Sequence, residues 1–260
     1  MSRLFLFLAL GFGLLLIYGR LVDNRSAVTG PAAATRLAEQ PARLASPEAE
    51  PPVSASVPAP IGGSRTPLIA QLARLEARRR LSLAGRAVYL DSLLVGPDSM
   101  VRRWGEGAVL RVLIGNPPEA APAVEAVHQA VKAWEGLRLG PTFVETQDSA
   151  EANVLVGWVS DPGSDRTGLA DVQSDGGGEI KLVRISLART DRKGRVLGLE
   201  ETRSVALHEF GHALGLPHSG RPSDIMYPTV TVLGLSERDR ATALLLYLIP
   251  PGAMREPSPL

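Results

Sequence analysis

The C-terminal part of the sequence predicts an α+β domain, and two observations support that prediction. Strand-like segments at 109–115, 153–159 and 180–187 are separated by a helical stretch over 118–134, in which the apolar residues recur on one face. Two further helical segments then follow, in place of additional strands. A chain of this order buries one sheet against helices in a single folded domain.

The strand candidates are recognised by their patterns of apolar and polar residues. Residues 109–115 and 153–159 are short, largely apolar runs, and we interpret each as a strand. Residues 180–187 alternate apolar and polar side chains, which predicts a half-buried or edge strand. The region 160–178 is rich in Asp and Gly, and we interpret it as a long loop.

The last two helices carry start signals. The first begins near Glu200 or Glu201, with acidic residues in its first turn, and runs to about Leu214. Ser236 and Asp239 resemble a capping box that opens a final helix ending near residue 248.

The composition excludes several classes of function. The chain has 28 basic and 27 acidic residues, a formal net charge of +1, and no long basic run, so we expect no nucleic-acid partner. It contains no cysteine, which excludes disulfides, thiolate metal sites and a cysteine nucleophile.

The N-terminus predicts export. Residues 4–19 form an uncharged apolar run behind Arg3, as in a secretory signal or signal anchor. No A-x-A cleavage site follows Gly19, so we favour an uncleaved anchor over residues 1–22, with a cleaved signal peptide as the alternative. The rest of the chain is then membrane-anchored and facing outward, or secreted.

The remaining boundaries follow from composition. Residues 23–67 are rich in Ala, Pro, Ser and Gly, which predicts a disordered linker. Residues 68–103 are interpreted as a short pre-domain segment, with a strand or strand pair over 86–95. The folded domain is expected over 104–250 and a flexible tail over 251–260. The pre-domain segment opens with helical spacing, and its leucines fall on one face: Leu68, Leu72, Leu75 and Leu83.

One motif contains residues suited to binding a metal and to catalysis. His208 and His212 are four residues apart, so on a helix their imidazoles project from the same face and can share one Zn²⁺. Glu209 is next to the first ligand and is suited to act as a general base. Gly215 permits a sharp turn that brings His218 back as the third ligand.

The number of ligands favours catalysis over a structural role. Three of the four histidines lie within these eleven residues, 208–218. A catalytic zinc has three protein ligands and one open position, whereas a structural zinc site is closed and needs no base such as Glu209.

The motif resembles that of the metzincin metallopeptidases, H-E-x-x-H-x-x-G-x-x-H followed by a methionine turn, here at Met226. Within the metzincins, the chain is most similar to the matrixins, the matrix-metalloprotease-like branch. That similarity rests on Gly211, Ser219, the I-M-Y-P turn at 225–228 and the final helix over 235–248. It covers about Trp104 to Leu248 and is strongest after His208.

The resemblance implies an α+β, zincin-like fold: a twisted, mainly parallel sheet with an antiparallel edge strand, an active-site helix and a C-terminal helix. We assign the edge strand to 180–187 and expect a polypeptide substrate to extend along it. It also implies a zinc-dependent endopeptidase in which His208, His212 and His218 bind one catalytic zinc and Glu209 is the general base. The alternative is a non-catalytic, zinc-stabilised peptide-binding module.

The sequence also departs from the matrixin pattern. Only His128 lies outside the motif, so we expect no second, structural zinc. A calcium site is conceivable in the Asp- and Gly-rich region, but we favour a solvated loop. The candidate oxygen ligands are Asp161, Asp165, Asp171, Asp175 and Glu179.

Overall fold

The structure is a computed structural model that describes residues 68–95, 99–116, 120–160 and 166–254. The predicted leader over 1–22 and linker over 23–67 lie outside the described residues. Within the described ranges, no helix combines the length and the apolar character needed to cross a bilayer.

A five-stranded sheet forms the centre of the domain, with strand order β3-β2-β4-β6-β5. All neighbouring strands are parallel except β5 and β6, which pair in antiparallel fashion. The prediction of a mainly parallel sheet with an antiparallel edge is therefore confirmed. The strands are β2 (Val109–Ile114), β3 (Thr142–Glu145), β4 (Val154–Val159), β5 (Gly168–Ser174) and β6 (Ile180–Ala188).

The assignment of the edge strand was wrong. Residues 180–187 belong to β6, which lies inside the sheet between β4 and β5, and the edge is formed by 168–174 in the region that we interpreted as a loop. An edge strand hydrogen-bonds on one side only and can leave a face in water, so its sequence need not be apolar. In β5 only Gly168 is fully buried, which explains why its pattern did not stand out.

The helices confirm most of the expected boundaries to within a residue or two. The one over 118–134 is found at 120–135, the active-site helix at 199–213, and the final helix ends at 248 as predicted. In chain order the helices are α1 (Leu68–Ala84), α2 (Ser92–Val95), α3 (Ala120–Glu135), α4 (Leu199–Ala213) and α5 (Glu237–Leu248).

The core lies between the sheet and the paired helices α3 and α4, which pack against each other. Trp134 of α3 is fully buried and donates its indole N–H to the carbonyl oxygen of Leu207 on α4, at 2.9 Å. Phe210 of α4 meets the ring of Phe143 on β3 edge to face, with 5.9 Å between ring centroids. These contacts fix the active-site helix against the sheet.

The strand predicted over 86–95 is absent, and that prediction was wrong. The segment instead forms a 3₁₀ turn at Gly85–Ala87 and the short helix α2. Its apolar residues Val88, Tyr89 and Leu90 are buried in the core without joining the sheet. A short apolar run has the same appearance in either role, so periodicity alone does not separate them.

Helix α1 does not pack against the domain with the face that its leucine spacing predicts. Its buried residues are Ala77 and Leu81, whereas Leu75 is 63% exposed and Leu68, Leu72 and Leu83 are also exposed. Three arginines attach the helix to the domain by donating to backbone carbonyl oxygens. These hydrogen bonds are Arg74 to Ala253, Arg78 to Met254 and Arg80 to Leu248.

A two-stranded ladder joins the beginning and the end of the described domain. Strand β1 (Met100–Val101) pairs in antiparallel fashion with β7 (Gly252–Ala253). Met254 is buried beside this ladder. The first residues of the segment expected to be a flexible tail are therefore hydrogen-bonded to the domain.

The predicted capping box of α5 is present, and it has a second role. Ser236 Oγ accepts from the backbone N–H of Asp239, and Asp239 Oδ2 accepts from the backbone N–H of Ser236, at 3.0 and 2.8 Å. Asp239 is fully buried and also accepts from Ile225 N and from the hydroxyl group of Tyr89. One carboxylate thus ties α5 to the methionine turn and to the pre-domain segment.

We predict that Asp239→Ala lowers the free energy of unfolding by about 3 kcal/mol, because it leaves several buried hydrogen-bond donors without an acceptor. Urea denaturation of the full chain measures the loss. Glu237→Ala is the matched control: Glu237 lies exposed in the same helical turn, so the change removes only its favourable interaction with the helix dipole, worth less than about 1 kcal/mol. Equal losses in the two variants would contradict the anchoring role of Asp239.

Candidate metal centre and active-site cleft

Helix α4 presents the first two histidines and the glutamate of the motif. His208 is 4% exposed and Glu209 is 5% exposed, whereas His212, one turn later, is partly open to solvent. The helix is held in place from its buried side by Trp134 and Phe143. Its site-bearing residues therefore sit on a fixed backbone, as a metal centre needs.

The helix ends where the motif requires it to end. Gly215 has a φ of +97°, a conformation that costs a glycine nothing, and a side chain there would collide with the carbonyl oxygen of Arg102. The backbone N–H of Leu216 donates to Gly211 O at 3.0 Å, closing the turn. The chain then reverses and returns His218 towards the helix.

The three histidines meet at one point. Nε2 of His212 is 3.1 Å from Nε2 of His208 and 3.1 Å from Nε2 of His218. Ligand atoms of a tetrahedral Zn²⁺ with bonds of ~2.0–2.1 Å lie about 3.3 Å apart. The three nitrogens are therefore spaced as three corners of such a coordination sphere.

The protonation of the rings also fits a metal. Nδ1 of His208 lies 2.7 Å from Ile225 O, and Nδ1 of His212 lies 2.8 Å from Leu216 O. A carbonyl oxygen only accepts, so each Nδ1 carries the proton and each Nε2 keeps its lone pair. Two such lone pairs 3.1 Å apart cannot hydrogen-bond to each other, but both can bind one cation.

Burial keeps the histidines in the neutral form that binds metals. Burial lowers the pKa of His208, and burial together with the neighbouring His208 lowers the pKa of His212 to about 3. The pKa of His218 is lowered by burial and by the positive charge of Arg166. Among the residues that the structure describes, this trio is the one group of three or more potential ligands close enough to hold an ion.

Met226 lies directly beneath the helix. It is fully buried. A Cβ placed on Gly211 would overlap the sulfur of Met226 and lie 3.1 Å from Trp134 Cζ2. The backbone N–H of Ser219 donates to Met226 O at 2.7 Å. The methionine turn thus supports the helix from below and is bonded to the residue after His218.

A polar network behind the turn was not predicted from the sequence. Arg238 of α5 donates to Asp224 Oδ2 at 2.7 Å, to Ser219 Oγ at 2.8 Å and to Val88 O at 2.8 Å. Its guanidinium also lies over the ring of Tyr89, 5.0 Å from the centroid. The network therefore connects the loop after His218 to the pre-domain segment.

Asp224 is the acceptor at the centre of this network. Burial alone would raise the pKa of Asp224, but hydrogen bonds from Ser219, Ser236 and Arg238 hold it below its usual value. The sequence offered no signal for this cluster, because its members belong to common residue types and have no distinctive spacing.

Glu209 occupies a tight position against the edge strand. A Cβ on Gly168, the first residue of β5, would fall inside van der Waals contact with Glu209 Oε1 and 2.7 Å from Val205 Cγ1. Burial raises the pKa of Glu209 to about 8, against the lowering effect of Arg166. The carboxyl group is thus confined, and its burial favours the protonated form in the protein alone.

A cleft of about 710 Å³ lies along these residues. One wall comes from the start of β5, another from the loop after the methionine turn, and a third from the pre-domain segment. Representative residues of the lining are Leu93, Arg102, Arg166, Gly168, Val230 and Leu246, together with the motif. The pre-domain segment therefore contributes directly to the wall of the cleft.

The other candidate residues lie apart from the cluster. His128 is an exposed residue of α3 and pairs with Glu145 at 3.0 Å. Asp175 and Glu179 share Lys181, whose Nζ lies 3.4 and 2.7 Å from their carboxylates, and Asp171 lies 3.9 Å from Arg184. Asp161 and Asp165 are outside the described residues, so the preference for a solvated loop over calcium stays a prediction.

The α+β fold and the three-histidine cluster resemble those of metzincin-type metallopeptidases. Residues 190–248 match the family model of the matrixins, Peptidase_M10. Human matrix metalloproteinase-26 is 27% identical over 139 residues, which is 49% of this chain and 51% of that protein. Human matrix metalloproteinase-20 is 73% identical over 26 residues, 10% of this chain and 5% of that protein.

The chain therefore contains a matrixin-like domain. The similarity spans about half the length of matrix metalloproteinase-26 and a small part of matrix metalloproteinase-20.

We predict that Gly211→Ala lowers the free energy of unfolding by about 1–3 kcal/mol, because the new methyl group overlaps Met226 beneath the helix. Thermal or urea unfolding should be measured in the presence of a chelator, so that metal affinity does not contribute. In the matched control Gly157→Ala, the nearest atom, Ile185 O, is 3.9 Å away, and we expect no loss. If Gly211→Ala is as stable as wild type, the close packing of Met226 is contradicted.

Proposed function

We propose that the protein is a zinc-dependent endopeptidase. The observation that supports the proposal most strongly is the convergence of three histidine Nε2 atoms beside the buried carboxyl group of Glu209, at the floor of an open cleft. A purely structural zinc site needs neither the carboxylate nor the cleft. We assign His208, His212 and His218 as the metal ligands and Glu209 as the general base.

The roles of the side chains follow from their surroundings. When bound, zinc supplies Lewis-acid chemistry, polarising a carbonyl group and activating water. Glu209 takes a proton from the attacking water on its carboxylate and passes it to the leaving amine nitrogen. Its confinement against Gly168 limits the positions that this carboxylate can adopt, which favours a single productive orientation.

The substrate is a polypeptide in this proposal. Strand β5 forms the edge of the sheet along the cleft, so its outward-facing backbone groups can pair with an extended peptide. Such pairing holds the peptide by its main chain and presents a scissile bond to Glu209. We further propose that the domain is exported, with the N-terminal segment as a signal anchor or signal peptide.

The decisive experiment compares zinc content and peptide cleavage for the full-length wild-type chain and Glu209→Gln. We expect one zinc per chain in both proteins and a loss of kcat of at least about 10²-fold in the variant, because the general base is removed while the ligands remain. Glu200→Gln is the matched control: this exposed glutamate on the same helix pairs with Arg203, and its loss should leave kcat unchanged.

Each outcome of that experiment has a meaning. Zinc binding without cleavage by the wild-type chain would favour the non-catalytic peptide-binding module. Failure of the wild-type chain to bind zinc would remove the basis of the whole proposal.

We also predict that Gly168→Ala lowers kcat by about 10-fold or more while zinc content stays the same, because the methyl group displaces Glu209 from its position. Gly176→Ala is the control, since no atom lies within 4 Å of a Cβ there. An unchanged kcat in Gly168→Ala would show that Glu209 does not work from the position described here.

A further inference from the structure

The charged side chains along the cleft are unequal in sign. Among the described residues, and apart from the three histidines, the charged residues of its lining are Arg102, Arg166 and Glu209. Arg102 has an interaction partner, so Arg166 is the cation that we consider, and a bound zinc ion would add further positive charge. A cleft lined in this way attracts negatively charged groups.

Arg166 is placed where a substrate side chain would pass. It lies two residues before Gly168, the point at which the edge strand touches Glu209. Arg166 and Thr167 precede β5 in the chain, and both line the cleft beside the start of the strand. A peptide paired with this edge would place one of its side chains near Arg166. In the peptide sequence, that side chain would lie within one or two residues of the scissile bond.

Arg166 is also available to a ligand. It is exposed, and no side chain in the described part of the chain forms an ion pair or hydrogen bond with it. Its positive charge is nevertheless close enough to lower the pKa of Glu209, His212 and His218. Arg166 also lines the cleft, whereas Arg184 of the neighbouring strand β6 lies beside Asp171.

We propose that Arg166 is a specificity-determining residue that selects peptides with an aspartate or glutamate side chain within two residues of the scissile bond. This inference rests on the proposed peptidase function. The planar guanidinium of an arginine donates two parallel hydrogen bonds to a carboxylate, which no neutral side chain reproduces. Because the site is exposed, the preference is a few-fold one and weakens as salt rises.

The test uses the full-length chain and sets of quenched fluorescent peptides that differ at one position, occupied by Glu, Gln or Lys. The position is moved through three residues on each side of the scissile bond. For wild type we expect kcat/KM to favour Glu over Gln by about 3–10-fold at a position next to the bond, and less so in 0.5 M salt.

Variants of Arg166 identify the source of the preference. Arg166→Gln should bring the Glu-to-Gln ratio close to one, Arg166→Lys should restore part of it, and Arg166→Glu should favour Lys. The matched control is Arg111→Gln, an exposed strand arginine outside the cleft that lies 3.7 Å from Glu151, and it should keep the wild-type ratio. If Arg166→Gln keeps the wild-type preference, or lowers kcat equally for all peptides, the proposal is overturned.

A binding measurement separates this proposal from the peptidase function itself. Fluorescence anisotropy of labelled Glu and Gln peptides is measured on Glu209→Ala and on Glu209→Ala combined with Arg166→Gln. Tighter binding of the Glu peptide that disappears in the double variant supports the role of Arg166 even if wild type cleaves no peptide. Cleavage by wild type without any preference for Glu leaves the peptidase intact and rejects the role of Arg166.

Discussion

Two backbone carbonyl groups determine what the site can be. Ile225 O and Leu216 O accept the Nδ1 protons of His208 and His212, and so direct both Nε2 lone pairs to one point. Neither carbonyl belongs to the helix that carries the histidines. Their positions depend on the turn at Gly215 and on the methionine turn, so the metal centre exists only when the chain around α4 is folded. A metal ion held there would in return stabilise that fold.

Several elements could be predicted because their signals are local. The spacing of the motif histidines, the glycine after the helix and the Ser236–Asp239 capping box each act within a few residues, and each is present. The helix over 120–135 and the buried parallel strands also follow from short-range apolar patterns. The placement of His218 close to the first two histidines agrees with the same local reasoning.

Other elements could not be predicted because they depend on distant partners. The polar strand 168–174 pairs with β6, and the buried Tyr89 donates its hydroxyl hydrogen bond to Asp239, which lies far from it in the sequence. Four leucines of α1 predicted a packing face that the structure leaves exposed, since Ala77, Leu81 and arginine–carbonyl contacts attach the helix from its other side. Arg166 and the network around Arg238 also escaped prediction, because single arginines have no distinctive spacing.

The hydrogen bonds of Arg238 have a consequence for how the domain opens. One guanidinium joins Val88 O to Asp224 and Ser219, so the segment around Val88 cannot detach without breaking bonds that also fix the loop after His218. Local unfolding events in proteins involve groups of residues that open together. Backbone amides around residues 88–90 and 219–226 should therefore exchange their hydrogens as one cooperative unit, although more than a hundred residues separate them along the chain.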